Sequence, residues 1–245
     1  MTAHALIDAI YSDDLVRVTE AMSNFKPSAT YQGMLPFVEA CRCGNVPIVE
    51  IMLPHAQVNL ADKVEEHSPL TVACAQSHVL VVEALIQAGA DVNYLQKGVG
   101  SALTDACGGK MKTQAKIVAL LLGAGADPKQ QFRSMYGDIV SDVLTSACSY
   151  GSIAAIDLLL EHGASVNVCY VVGTPIITAV KERRPDLVEF LLDRGADPTI
   201  TVPNESRFTD VVGRSAVDLA RAGKSAKARK ILQLFVQRGF VPKTP

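Results

Sequence analysis

The chain of 245 residues contains no tryptophan, and aromatic residues make up only 5% of it. Strands favour aromatic and β-branched side chains, so this scarcity argues against a β-sandwich. Alanine is abundant instead, with 30 residues spread along the whole length. Alanine is the best helix former, and its small side chain lets helices pack closely. The composition therefore predicts a mostly helical protein.

The sequence also lacks a long apolar run. Its most apolar stretch, residues 117–122, falls far short of the roughly 18 residues that a membrane span requires. Three aspartates interrupt the first fifteen residues, where a secretory signal peptide has a basic start and an apolar centre. We therefore expect a cytoplasmic protein that does not associate with membranes.

Residue patterns typical of enzymes are missing as well. The five histidines are scattered, with no cysteine or carboxylate partner at metal-ligand spacing, and the six cysteines form no C-x-x-C motif. No phosphate-binding loop, Ser-His-Asp arrangement or pair of catalytic carboxylates stands out. We therefore expect a protein that is not an enzyme and that binds no metal and no cofactor.

A short pattern recurs seven times along the chain: an apolar residue is followed three positions later by alanine. The seven alanines, 31 to 41 residues apart, are Ala9, Ala40, Ala73, Ala106, Ala147, Ala179 and Ala220. Around and after each alanine, apolar residues spaced i, i+3, i+4 predict two short amphipathic helices. Glycines that suit the left-handed position after a helix follow most of the second helices: Gly89, Gly125, Gly163, Gly195 and Gly239.

The most specific motifs within this pattern are Ser68-Pro69-Leu70, Thr174-Pro175-Ile176 and Gly89-Ala90-Asp91-Val92-Asn93. In these motifs the chain resembles the ankyrin-repeat family over nearly all of its length. The resemblance implies an all-α fold with short β-hairpin fingers, a solenoid of about seven helix-turn-helix units that includes N- and C-terminal capping repeats. We expect one domain, 1–245, with repeats that start near residues 2, 33, 66, 99, 139, 172 and 213.

The chain departs from the family pattern in several places. Residues 54–57 read Pro-His-Ala-Gln where Gly-Ala-Asp is expected, so the second helix of repeat two should end early. Repeat four carries a three-residue insertion around Lys110 to Thr113, and long connectors occur at 128–142 and 198–215. Insertions in repeat proteins usually lie on one face, which is often the binding face.

The resemblance implies a module that binds another protein through the concave surface formed by the fingers and the first helices. The positions that this surface exposes hold the following candidate residues: Arg42, Cys43, His67, Gln76, Tyr94, Phe132, Tyr136, Ser149, Tyr150, Tyr170, Lys181, Glu182 and Phe208. Five of these aromatic rings lie in connectors, where they either contact the partner or pack against neighbouring fingers. Tyrosine and arginine are enriched at binding hot spots.

The role of the interaction has two alternatives. The chain could act as an inhibitor or immunity-type protein that masks its partner, or as an adaptor or scaffold that bridges two proteins. We expect the chain to be monomeric on its own.

A charge asymmetry offers a further alternative, nucleic-acid binding through the C-terminal repeat. Residues 219–245 contain seven basic and no acidic residues. The competing explanation is a solvated outer face on a capping repeat, and we favour it because no aromatic residues are interleaved with the basic residues for base stacking, and Phe235 is expected in the core. We therefore do not expect a nucleic-acid partner.

Four cysteines follow the repeat alanine directly: Cys41, Cys74, Cys107 and Cys148. Neighbouring helices pack roughly 8 to 10 Å apart, which exceeds the Cα separation of a disulfide, about 7 Å at most. We expect these four to be packing residues. Cys43 lies outside the column, and we expect it to be the more reactive thiol.

Overall fold

The computed structural model describes residues 2–63, 66–96, 100–109, 111–133, 139–203 and 210–242. The chain divides into two compact units, 1–127 and 128–245. Within the described residues of the first unit, eight α-helices form four pairs: α1 (Ala3–Tyr11) with α2 (Leu15–Met22), α3 (Pro36–Cys43) with α4 (Val46–Met52), α5 (Pro69–Ala75) with α6 (Val79–Gln87), and α7 (Ala102–Gly108) with α8 (Met111–Gly123).

The second unit contributes six more helices among its described residues. They pair as α9 (Val143–Tyr150) with α10 (Ile153–Glu161), α11 (Pro175–Lys181) with α12 (Pro185–Asp193), and α13 (Ala216–Ala222) with α14 (Ala226–Gln237). Together the two units give the seven helix pairs that the sequence predicts. That they form a single domain stays a prediction.

Short antiparallel hairpins precede two of the first helices. In the first unit, β1 (Leu95–Gln96) pairs with β2 (Gly100–Ser101), with Leu95 opposite Ser101. In the second unit, β3 (Gln131–Arg133) pairs with β4 (Ile139–Asp142), with Phe132 opposite Ser141. Residues 131–133 and 139–142 of the long connector therefore form two antiparallel strands, while Met111 to Thr113 of the predicted insertion lie in the first turn of α8.

The first helices of each unit pack side by side, α1, α3, α5 and α7 in one row and α9, α11 and α13 in another. All seven repeat alanines are 0–1% exposed, which confirms the register of the repeat. Alanine has no side chain beyond Cβ, so at these positions neighbouring helices can approach closely. Larger side chains from the second helices complete the core, among them Leu85, Leu121 and Leu159, each at 0% exposure.

Helix starts follow the capping chemistry of the motifs. The Ser68 hydroxyl accepts from the backbone N–H of Thr71 at 3.2 Å, and Pro69 occupies the first helical turn, where its missing N–H costs nothing. Thr174 and Pro175 repeat this arrangement at α11.

The second helices end with the predicted glycines in a left-handed conformation. At α6, Gly89 has φ +82°, and the N–H of Ala90 donates back to the carbonyl of Leu85 at 2.9 Å. This is a Schellman-type end, which satisfies carbonyls that the helix leaves open. Repeat two lacks the glycine, and α4 stops at Met52 before a short 3₁₀ turn, as predicted.

Asparagine side chains join the connectors of successive repeats. Asn59 donates from Nδ2 to the carbonyl of Gly89 at 3.2 Å, and its Oδ1 accepts from the N–H of Asp91 at 2.7 Å. The same pair of bonds joins Asn93 to Gly125 and Asp127, and Asn167 to Gly195 and Asp197. Each amide thus satisfies one donor and one acceptor of the next repeat's backbone.

In the described part of the chain, no helix combines the length and apolar character needed to span a bilayer.

Leu159→Ala should lower the free energy of unfolding by about 2 to 5 kcal/mol, because it opens a cavity in the packed seam of the second unit. Asp186→Ala, at an exposed position on α12, is the control and should cost far less. Urea unfolding followed by circular dichroism measures both. Equal losses would mean that the second helices face the other way.

Candidate functional site

The C-terminal ends of the first helices carry most of the predicted partner-binding residues. These residues lie two and three positions after a repeat alanine. We call the surface that these positions form in each unit its helix-end surface. In the second unit, Ser149 and Tyr150 lie at the end of α9, and Lys181 and Glu182 lie at the end of α11. Tyr150 is 50% exposed, and both Lys181 and Glu182 are exposed.

These four residues line one groove of about 320 Å³ in the second unit. Its other lining residues are mostly hydroxyl-bearing: Ser141, Thr145, Ser146, Val172 and Thr178. Ser141 and Ser146 share a hydrogen bond of 3.0 Å between their hydroxyl oxygens. The structure thus brings four of the predicted residues together on one open surface, beside several hydroxyl-bearing side chains.

Lys181 forms an ion pair within the second unit. Its Nζ lies 2.9 Å from a carboxylate oxygen of Asp210. The hydrogen bond from Lys181 is the main cause of the lowered pKa of Asp210. Lys181 is therefore neutralised within its own unit.

In the first unit, Arg42, Cys43 and Gln76 lie at the ends of α3 and α5, with Cys43 and Gln76 exposed. The Arg42 guanidinium donates from Nε to Glu39 at 3.3 Å, and the Tyr11 hydroxyl donates to the other oxygen of Glu39 at 2.7 Å. Partial burial of the hydroxyl and its hydrogen bond to Glu39 raise the pKa of Tyr11 to about 12.

Sequence reasoning missed Tyr11 and Glu39. Tyr11 is 55% exposed and stands two residues after Ala9, which is the same repeat position that Arg42 occupies after Ala40. The position of Tyr11 in the repeat therefore predicts that it lies on the helix-end surface. Interpreting the first repeat only as a cap left Tyr11 out of the candidate residues.

The finger tyrosines Tyr94 and Tyr170 are half-buried and contact neighbouring repeats. The Tyr94 hydroxyl donates to the carbonyl of Glu66 at 3.0 Å, and the Tyr170 hydroxyl accepts from Gln131 at 3.3 Å. Burial and the nearby carboxylate of Asp142 raise the pKa of Tyr170. Because these rings connect fingers, replacing either with alanine should also cost stability.

The remaining predicted residues are less suited to partner contact or lie outside the described part of the chain. Phe132 is 6% exposed in β3, so its ring packs inside the second unit and offers little surface to a partner. His67 is half-buried just before α5. Tyr136 and Phe208 lie outside the described residues.

The cysteine column is buried as predicted, with Cys41, Cys74, Cys107 and Cys148 each at 0% exposure. Burial raises the pKa of Cys41, Cys74 and Cys107. Cys43 is exposed, but partial burial of its thiol and the carboxylates of Glu39 and Asp13 raise its pKa as well. Cys43 is therefore expected to react because reagents can reach its thiol, and not because its surroundings stabilise the thiolate.

Asp105 is an unusual carboxylate on the first helix α7. Its Oδ2 is buried and has no hydrogen-bond partner among the described residues. Burial raises its pKa to about 7. Among the described residues, no group of three or more histidine, cysteine or carboxylate side chains is placed to hold a metal ion.

The basic C-terminal segment places its charges on the surface. Five of its basic residues, all exposed, are Arg221, Lys224, Lys227, Arg229 and Lys230. Arg238 pairs with Asp193. Phe235, the one aromatic residue of α14, is 0% exposed, as predicted, so this helix offers no ring for base stacking.

The fold and the helix-end surfaces define a class of protein. Its members are built from tandem helix pairs, and the first helix of each pair exposes its C-terminal end beside a short finger. A family model described as ankyrin repeats (3 copies) matches residues 6–96, 37–132 and 103–202. The chain belongs to the ankyrin-repeat family. Ankyrin repeats are generally protein–protein interaction modules and typically non-catalytic.

Several known proteins are similar to this chain. Ankyrin repeat and KH domain-containing protein mask-1 of Caenorhabditis elegans is 30% identical over 157 residues, which cover 63% of this chain and 6% of that protein. Putative ankyrin repeat protein YahD of Escherichia coli is 26% identical over 211 residues, or 83% of this chain and 95% of that protein. The chain spans less than a tenth of the length of mask-1 and of a second ankyrin repeat and KH domain-containing protein, from Caenorhabditis briggsae.

A solved structure confirms the fold. The crystal structure of the human ASB11 ankyrin repeat domain superposes with a TM-score of 0.78 at 23% sequence identity, covering 97% of this chain and 99% of that one.

In native protein, a polar thiol reagent should label Cys43 faster than Cys41, Cys74, Cys107 and Cys148, because only Cys43 of these five is exposed. The Cys43 rate should rise with pH beyond pH 9, since its pKa is raised. Time-resolved mass spectrometry of the labelled peptides measures the rates. Fast labelling of the column without unfolding would contradict the repeat register.

Asp105→Asn should stabilise the protein at pH 8 by on the order of 1 kcal/mol, and by progressively less towards pH 4. The folded state holds a proton on Asp105 up to about pH 7, whereas the unfolded chain loses it near 3.8, so the stability of the natural protein falls as pH rises through this window. Thermal unfolding between pH 4 and 8 measures the difference. Asp186→Asn, at an exposed carboxylate, is the control, and an Asn variant less stable than the natural protein at pH 8 would refute the argument.

Proposed function

We propose that this chain binds a protein partner through its helix-end surfaces and thereby masks a functional site on that partner. The groove formed by Ser149, Tyr150, Lys181 and Glu182 is the observation that carries the proposal. These residues hold no core position, yet they lie together on one open surface.

The character of this groove favours a polypeptide over a small molecule. Small-molecule sites are mostly apolar and enclose their ligand. Here hydroxyl groups and two charged side chains surround an exposed tyrosine. An exposed tyrosine within a polar rim is typical of a protein interface, where rings of this kind supply binding hot spots.

An adaptor that holds two proteins is the second candidate function. Each unit carries its own exposed helix-end surface, with Tyr11, Cys43 and Gln76 in the first and Tyr150 and Glu182 in the second. The mass of the purified complex, measured by light scattering, separates the two roles. One bound protein supports masking, and two different proteins bound at once support an adaptor.

Tyr150→Ala should weaken the complex by at least about tenfold, because a hot-spot tyrosine contributes about 2 kcal/mol or more. Its melting temperature should change little, since Tyr150 is 50% exposed. Glu161→Lys, an exposed change at the end of the second helix α10, is the control. Affinity purification from native lysate, followed by titration with the captured partner, measures both.

The opposite result would place the site elsewhere. If Tyr150→Ala binds normally while Glu161→Lys abolishes the complex, the second helices form the interface. If duplex DNA displaces the captured partner, and if the binding of that DNA weakens steeply with salt, the result would instead favour a nucleic-acid site on the basic α14.

A further inference from the structure

The groove of the second unit pairs an aromatic ring with a carboxylate at equivalent repeat positions. Tyr150 stands three residues after Ala147, and Glu182 stands three residues after Ala179. Tyr150 ends α9 and Glu182 caps α11, and these two helices pack against each other. The axes of packed helices lie roughly 8 to 10 Å apart, so these two equivalent helix positions are separated by about that distance.

Among the described residues that line this groove, Glu182 is the charged side chain that has no ion pair. Lys181 is paired with Asp210 at 2.9 Å, which leaves Glu182 as an exposed carboxylate with no ion pair among the described residues. Arg184 does not line the groove, and its guanidinium donates to the carbonyls of Cys148 and Gly151. The other lining side chains are uncharged, and most of them are hydroxyl-bearing.

We propose that this groove receives an arginine side chain of the partner, stacked on Tyr150 and paired with Glu182. The proposal rests on the proposed function, because it names the chemistry by which the same surface recognises a protein. A guanidinium is planar, stacks on aromatic faces and binds a carboxylate through two parallel hydrogen bonds. The hydroxyls of Ser149 and Thr178 are acceptors for its remaining N–H groups.

Other occupants fit this surface less well. An acidic segment would be repelled by the carboxylate of Glu182, and the single cation among the described lining residues, Lys181, is already paired with Asp210. An apolar side chain would bury the hydroxyl groups without hydrogen-bond partners, which is costly. A lysine could pair with Glu182 but lacks the planar face that stacks on Tyr150.

The test is selection of random peptides displayed on phage against the full chain, followed by titration of a selected peptide. We expect the selected peptides to share an arginine. We expect binding to weaken by about tenfold or more when that arginine is replaced with lysine, and likewise when it is replaced with uncharged citrulline. A loss of affinity of this size is typical of hot-spot residues. Glu182→Gln and Tyr150→Ala should weaken binding similarly, and Tyr150→Phe should retain most of it.

Glu161→Gln is the matched control, because it makes the same chemical change at an exposed position on the second helix α10. It should leave peptide binding unchanged. A double-mutant cycle should show that Glu182→Gln and the citrulline substitution are not additive, since both remove one interaction. Melting temperatures of all variants establish that each one is folded.

Three results would overturn the proposal. If the selected peptides share no arginine but no longer bind the Tyr150→Ala variant, the arginine site is refuted and the protein-binding function is left intact. Peptides that no groove variant affects would refute both for this groove. If no peptide is selected, N-acetyl-arginine amide is titrated by nuclear magnetic resonance, and unshifted amide signals of Tyr150 and Glu182 at millimolar concentrations would overturn the proposal.

Discussion

Burial of the first helices against one another is the constraint on which the other features depend. A pair of helices of seven to nine residues, such as α11 and α12, cannot cover its own apolar face, so it is stable only when a neighbouring repeat completes its core. The repeat alanine is almost completely buried in this packing, and its burial fixes how each helix is rotated. Once that rotation is fixed, the residues two and three positions later must point away from the core.

The polar connectors depend on the same stacking. Hairpins as short as β1–β2 are marginally stable alone, and their backbone groups need partners. The turns that follow the second helices and lead into the connectors are joined from repeat to repeat by Asn59, Asn93 and Asn167, because each amide bonds both an N–H and a carbonyl of the next repeat. These bonds form only when the repeats are spaced correctly, so they specify register as well as adding stability.

The sequence predicted those features that follow from the repeat register. The seven helix pairs, the buried cysteines, the glycine helix ends and the early end of α4 all follow from local patterns. Adjacency of Tyr150 and Glu182 follows too, since equal offsets from Ala147 and Ala179 place them side by side. The sequence could not predict which side chains pair across repeats. Tyr11 with Glu39 and Lys181 with Asp210 are separated by 28 and 29 residues, and each contact depends on side-chain reach that no pattern encodes.

These pairings determine which residues give each helix-end surface its chemistry. The basic residues two positions after the repeat alanine, Arg42 and Lys181, each pair with a carboxylate of their own unit, so neither presents an unbalanced charge. In the proposed interaction, recognition therefore falls to the next position along the helix. There the chain carries a thiol, an amide, a phenol and a carboxylate in four repeats, all exposed: Cys43, Gln76, Tyr150 and Glu182. Packing does not constrain the residue three positions after the repeat alanine, so its side chain can vary and can determine which partner binds. Tyr150 and Glu182 occupy this position in two adjacent repeats, where both can contact one side chain of the partner.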